Sequence, residues 1–202
     1  MVQAAIEPRF YSKDEYLADE ERAPYKSEYV NGEIFAMAGG SLKHSIICFN
    51  LIRQIGEAIM QKDCIGLESN VKVEIQRGRQ YFYPDLMVVC GKVDFAPKRT
   101  DTITNPMVIV EVLSPATEAF DRNKKFAAYR TLPSLREYVL VYQDEPQIET
   151  FFREDAKTWR YSVARGLEET IRLLSLECDL ALREIYRKIV WEQSPEEPSG
   201  AE

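Results

Sequence analysis

Apolar residues recur at helical spacing at Ile47, Leu51, Ile55 and Ile59, while apolar and polar residues alternate on either side of Asn31-Gly32. The first pattern predicts a long amphipathic helix over residues 41–60, capped by Ser41. The second predicts a β-hairpin, because Asn and Gly both tolerate the positive φ of a tight turn. Gly39-Gly40 ends that hairpin. Upstream, residues 12–20 read as a short helix in which Ser12 and Glu15 form a capping box.

Strands are expected over residues 65–75 and 80–90, joined by a turn at 76–79, and over 107–113 after a charged, proline-containing loop. Ser114-Pro115 stops the third strand, since proline has no N–H to donate to a ladder. A helix over 117–131 follows, then the short strands EYVLVY, QIETFF and WRYSVA, then a closing helix over 180–189. This order predicts one α/β domain over residues 1–191, with a central mixed sheet flanked by helices. The strand over 107–113, the helix after it and the strand from Glu137 form a βαβ unit, for which a right-handed crossover is expected. Residues 192–202 are acidic and proline-containing and predict a disordered tail.

Composition narrows the function. A chain of 202 residues, 45% hydrophobic, can bury one sizeable core. The net charge of −7 argues against a general nucleic-acid binder, whose footprint is a basic face. It leaves room for an enzyme that meets DNA through a small basic patch and a metal. No run approaches the roughly 18 apolar residues of a membrane span, and the N-terminus lacks the pattern of a signal peptide. A cytoplasmic protein is therefore expected, with Cys48, Cys64, Cys90 and Cys178 as reduced, buried thiols. There is no phosphate-cradling glycine loop, zinc-ligand spacing or serine elbow.

Two acids break otherwise apolar strands: Asp85 in YFYPDLMVV and Glu111 in MVIVEVL. A carboxylate in a buried strand costs several kcal/mol unless it is paired, hydrogen-bonded or bound to a metal. If the two strands are neighbours and the acids level, the carboxylates converge, and such oxygen ligands suit Mg²⁺ or Mn²⁺. Each acid also has a plainer reading: Asp85 as a turn residue after Pro84, Glu111 as half of a buried ion pair. Asp121 and Lys125, four apart on the expected helix, need be no more than an exposed salt bridge. The basic run Arg122 to Lys125, like Lys98 and Arg99, either meets phosphate or is a solvated face. Tyr83 and Tyr129 are expected as core aromatics.

In order, the segments NGEI, LKHSIICFNL, YPDLMVV, VIVEVLSPAT, DRNKKFAAY and LREYVLVY resemble the Uma-type restriction endonuclease family, abundant in cyanobacteria. The resemblance runs over nearly the whole chain before the tail. It implies the restriction-endonuclease-like fold of the PD-(D/E)XK nucleases, a divalent metal, DNA as substrate and a homodimer. Carried onto this sequence, Asp85 and Glu111 become metal ligands, and Glu33 in NGEI completes the metal site or orients a ligand. The alternative for Glu33 is a solvated residue after a turn. The nuclease signature places its lysine two residues after the glutamate, where this chain has Leu113. The resemblance offers a lysine from the next helix instead, Lys125 or its neighbour Lys124. His44, the only histidine, falls where these proteins carry one, so a role near the site stands beside a plain helix-surface residue. The rival reading, prompted by Leu113 and the net charge, is a catalytically inactive nuclease fold that binds DNA or protein. A third is a nuclease acting on RNA or branched substrates.

Overall fold

The computed structural model describes residues 9–37 and 39–191. The expected tail and the first eight residues, on which the signal-peptide reading rests, lie outside the described residues. Helix α1 (Lys13–Glu20) starts at the expected capping box, with Ser12 and Glu15 satisfying each other's backbone N–H. Strands β1 (Ser27–Val30) and β2 (Glu33–Ala36) form the hairpin, and Asn31 and Gly32 take φ of 50° and 103° at its turn. Helix α2 (Leu42–Ile59) is capped by Ser41, whose hydroxyl accepts from the His44 N–H.

The two long strands expected next are each broken. Residues 65–75 divide into β3 (Cys64–Glu68) and β4 (Lys72–Ile75), which run in different sheets. Residues 80–90 divide likewise into β5 (Gln80–Phe82) and β6 (Leu86–Cys90). Pro84 has no N–H for a ladder, so the chain leaves one sheet there and enters the other. Asp85 therefore stands at a break between strands and not inside one.

After β7 (Thr102–Ile103) comes β8 (Val108–Leu113), buried along its whole length. The expected helix over 117–131 is not regular. A π-helical turn (Phe120–Lys125) leads into a short α3 (Phe126–Tyr129). π-Turns are rare and concentrate at functional sites. The chain then runs through β9 (Glu137–Tyr142), β10 (Gln147–Arg153) and β11 (Trp159–Arg165). A small hairpin of β12 (Thr170–Leu173) and β13 (Cys178–Ala181) was not expected. It takes the start of the expected closing helix, leaving α4 with Leu182–Ile185.

The central sheet has six strands in the order β11-β10-β9-β8-β6-β3. It is mixed: β8 and β9 run parallel through the helical crossover, and the other pairs run antiparallel. A second sheet, β2-β1-β5-β4-β7, stands beside it. Alternation along β6 and β8 divides the core in two. Leu86, Val88, Val108 and Val110 pack under Ile47, Leu51 and Ile55 of α2. Met87, Val89, Ile109 and Leu113 pack against Phe82 of the second sheet and Ala128 and Tyr129 of α3. Glu111 shares this second face.

Two of the four cysteines are not free thiols. The β3–β6 register sets Cys64 opposite Cys90, and the two are joined by a disulfide. Their distance in sequence gave no sign of this. Cys48 and Cys178 are free. Among the described residues no helix is long and apolar enough to cross a membrane.

Candidate active site

Antiparallel pairing sets Leu86 opposite Val110 and Met87 opposite Ile109. Extended by one residue, that register puts Asp85 opposite Glu111. The two acids are thus level on neighbouring chain segments. Asp85 also serves the fold itself. Its Oδ2 accepts the Val112 N–H at 2.7 Å, replacing the backbone partner that β8 loses where β6 ends.

Glu111 is buried and faces the π-helical turn. Lys125 Nζ lies 3.3 Å from Glu111 Oε1, 3.2 Å from Asp121 Oδ1 and 2.8 Å from Glu28 Oε1. None of these four residues is more than 6% exposed. Tyr129 OH donates to the same Glu111 Oε1 at 2.8 Å, and the Tyr83 N–H donates to Glu28 at 3.3 Å. The Asp121–Lys125 pair is therefore a buried contact within a larger cluster. Leu113, where the nuclease signature has lysine, is core. The ammonium comes from the following helical segment instead.

Burial raises the Glu111 carboxyl well above the usual carboxylate range, although Lys125 pulls the other way. Burial raises Glu28 too, again against Lys125. Burial alone would lower Lys125, but Glu111, Glu28 and Asp121 outweigh it and hold the lysine firmly as ammonium. Tyr129 is pushed far up by burial and by Glu111, so it stays a hydrogen-bond donor. Three carboxylates share one lysine, Asp85 adds a fourth acid beside His44, and Glu111 Oε2 makes no hydrogen bond among the described residues. This surplus of buried negative charge and the free hard oxygen fit a divalent cation, with Asp85 and Glu111 as the residues to hold it.

His44 reaches the cluster from the first turn of α2. Its Nε2 lies 3.2 Å from Asp85 Oδ1, and its Nδ1 lies 3.5 Å from Cys48 Sγ. The hydrogen bond to Asp85 raises its pKa, against the effect of burial. Glu33 and Lys124 do not join. Glu33 is exposed on β2, and both line an open cavity of about 550 Å³ with Phe10, Asn31, Gln80 and Phe82. Arg122 of the basic run is tied to Glu149, and Arg99, in the loop before β7, is tied to Asp101 and Glu21. Tyr83 is core, but its hydroxyl also links Lys72 and Glu20.

Glu28 and Cys48 did not stand out in the sequence. Glu28 carries the same signal as Glu111, an acid within a strand, but lies in the same hairpin as Glu33. The hairpin register sets Glu28 opposite Phe35 and Glu33 opposite Val30, so both point to one side. What separates them is that β1 is interior to its sheet and β2 is its edge. A single sequence does not reveal that.

A mixed sheet crossed by a parallel βαβ unit, with this acid and lysine cluster at its centre, defines a restriction-endonuclease-like protein. A solved structure of a "putative nuclease belonging to DUF820" from Anabaena variabilis matches it with a TM-score of 0.65, covering 87% of this chain and 97% of that one at 18% identity. Residues 13–183 match Uma2, a family described as "Putative restriction endonuclease", and the chain belongs to that family. Two uncharacterized proteins of Synechocystis are similar to it. The protein sll1609 is 38% identical over 152 residues, 75% of this chain and 86% of the relative. The protein slr1290 is 37% identical over 183 residues, 89% of this chain and 93% of the relative.

Proposed function

We propose that this chain is a divalent-metal-dependent endonuclease that hydrolyses DNA phosphodiester bonds. The observation that carries the reading is the lysine 3.3 Å from Glu111, with Asp85 level across the sheet. Glu111 then stands for the glutamate of the nuclease signature, and Lys125 for its relocated lysine. When bound, the metal supplies Lewis-acid polarisation of the phosphodiester and an activated water. Asp85 and Glu111 hold that cation. Glu28 and Asp121 fix Lys125 in place and keep it charged. From there its ammonium stabilises the charge that develops on the phosphoryl oxygens. Tyr129 sets the Glu111 carboxylate through Oε1 and leaves Oε2 for the metal. His44 orients Asp85 from the opposite side. Glu28 takes the part that the resemblance gives to Glu33, as the acid of the hairpin that belongs to the site. Lys124 and Glu33, at the neighbouring cavity, are placed to meet substrate beyond the reacting phosphate. The homodimer implied by the resemblance and the cytoplasmic location expected from the sequence belong to the same reading.

Supercoiled plasmid incubated with Mg²⁺ or Mn²⁺, beside a chelator control and Asp85→Ala, tests this directly. Nicking that requires both the metal and Asp85 is the expected result. Equal cleavage by the Asp85→Ala and Glu111→Ala proteins would remove the assignment.

A second reading is favoured by one feature of the cluster. Lys125 is saturated by three carboxylates, as in a purely structural ion-pair network, and the net charge of −7 suits no extended DNA face. The chain would then be an inactive nuclease fold that binds DNA or protein. Calorimetric titration with Mg²⁺ and Mn²⁺ separates the two, because the nuclease must bind the ion.

A further inference from the structure

We propose that His44, Cys48 and Asp85 form a second cation site, for a thiophilic divalent ion such as Zn²⁺ or Co²⁺, sharing with the nuclease centre its ligand Asp85 and the histidine that orients it. His44 and Cys48 stand one turn apart on α2, so their side chains leave the same face of the helix. One donor atom from each of the three residues lies within 4.8 Å of the other two, and among the described residues no other group of three histidine, cysteine or acidic side chains does so. All three are half-buried, shielded enough to hold an ion and open enough to admit one.

The chemistry of the donors sets the choice of ion. Mg²⁺ and Mn²⁺ favour carboxylate, carbonyl and water oxygens, whereas thiolate and imidazole select Zn²⁺ and its borderline neighbours. Imidazole, thiolate and one carboxylate make three protein ligands with a fourth position open. An entering ion replaces the two hydrogen bonds that His44 now makes to its neighbours. The Cys48 thiol proton passes to solvent as the metal–sulfur bond forms. Glu111 is not in this group of three, and its Oε1 is held by Lys125 and Tyr129. A relay with Cys48 as nucleophile is the other use of the same three residues. Burial, and after it the Asp85 and Glu111 carboxylates, disfavour a free thiolate nucleophile at Cys48, while the same carboxylates draw a cation in.

One consequence rests on the nuclease reading. An ion in this site occupies Asp85 and therefore inhibits the Mg²⁺ reaction. The site itself does not depend on that reading.

Titration of the metal-free protein with Co²⁺ tests it, read as the near-ultraviolet thiolate-to-cobalt charge-transfer band. The wild type is expected to give the band at one ion per chain. Cys48→Ser should abolish it, and Cys178→Ser and Glu111→Gln should keep it. A wild type without the band, or a band that survives Cys48→Ser, overturns the proposal. Because serine and thiol are nearly isosteric, Cys48→Ser should keep the wild-type melting midpoint and its Mg²⁺-dependent cleavage. Cys48→Ala provides a second variant on the same readout. If plasmid is never cleaved, the nuclease reading fails and the cobalt band still decides the site. If it is cleaved, Zn²⁺ should inhibit the wild type at concentrations at least tenfold lower than it inhibits Cys48→Ser, and equal inhibition would overturn the shared-ligand claim.

Discussion

Lys125 lies fourteen residues beyond Glu111 in the chain and 3.3 Å from its Oε1 in space. The nuclease signature obtains this contact from two positions on one strand. Here the strand position is a buried leucine and the ammonium arrives from a π-helical turn. The same turn brings Asp121 to the lysine, and β1 adds Glu28. One cation thus neutralises part of a cluster that would otherwise be too negative to bury.

Replacing Lys125 should therefore cost both stability and activity. Lys125→Met leaves three buried carboxylates without their partner and should destabilise the fold by about 3–5 kcal/mol. Burial already raises Glu111 and Glu28, and losing the lysine raises them further, so the variant binds protons more readily than the wild type. Its deficit should shrink as the pH is lowered from 8 to 5. Urea melts of both proteins across that range check the size and the sign.

Glu111→Gln removes a charge but keeps an acceptor for Tyr129. The variant should fold with wild-type secondary structure. Its plasmid cleavage should fall by about 10²–10³-fold, the loss typical of one electrostatic group at a reacting centre. Single-turnover rates, beside circular dichroism, measure the two separately.

The two acids of the hairpin should behave differently. Glu28→Ala removes the shortest of the contacts to Lys125 and should cost about 2 kcal/mol, since two carboxylates remain to the lysine. Glu33→Ala, on an exposed edge strand, should stay within about 0.5 kcal/mol of the wild type. Thermal denaturation of the pair decides between them.

Lys72 is buried and pairs with Asp101 at 2.7 Å, and Arg99 binds the same carboxylate. The Arg99 hydrogen bond holds Asp101 well below the usual carboxylate range. A lowered carboxyl contributes stability above its unfolded pKa of about 3.9, and that contribution is lost as the pH falls toward the folded value. Asp101→Asn should cost about 1 kcal/mol at pH 7, a modest figure because the carboxylate is 39% exposed. Below about pH 4 the gap between variant and wild type should close, as denaturation at pH 7, 5 and 3 will show.

Reduction of Cys64–Cys90 releases a link spanning 26 residues of chain. In the chain-entropy account this lowers stability by about 3 kcal/mol. A drop in melting midpoint on adding a reductant, absent from Cys64→Ala/Cys90→Ala, checks it.

Much of the fold could be read from local pattern. The Ser12–Glu15 box, the Asn31-Gly32 turn and the Ser41 cap act over three or four residues, so their residues specify them directly. The apolar run over 107–113 announced a buried strand, and the acid within it announced Glu111 as anomalous. What sequence could not decide was partnership between distant segments. Residues 80–90 read as one strand, and only the tertiary structure breaks it at Pro84, sends β5 and β6 into different sheets and sets Asp85 level with Glu111. The register of β3 against β6 joined Cys64 to Cys90, and the interior position of β1 selected Glu28 over Glu33. The lysine is the plainest case. Lys124 and Lys125 are neighbours with the same side-chain chemistry. The turn of the helix buries one among carboxylates and leaves the other at an open cavity, because side-chain direction follows from packing and not from residue type.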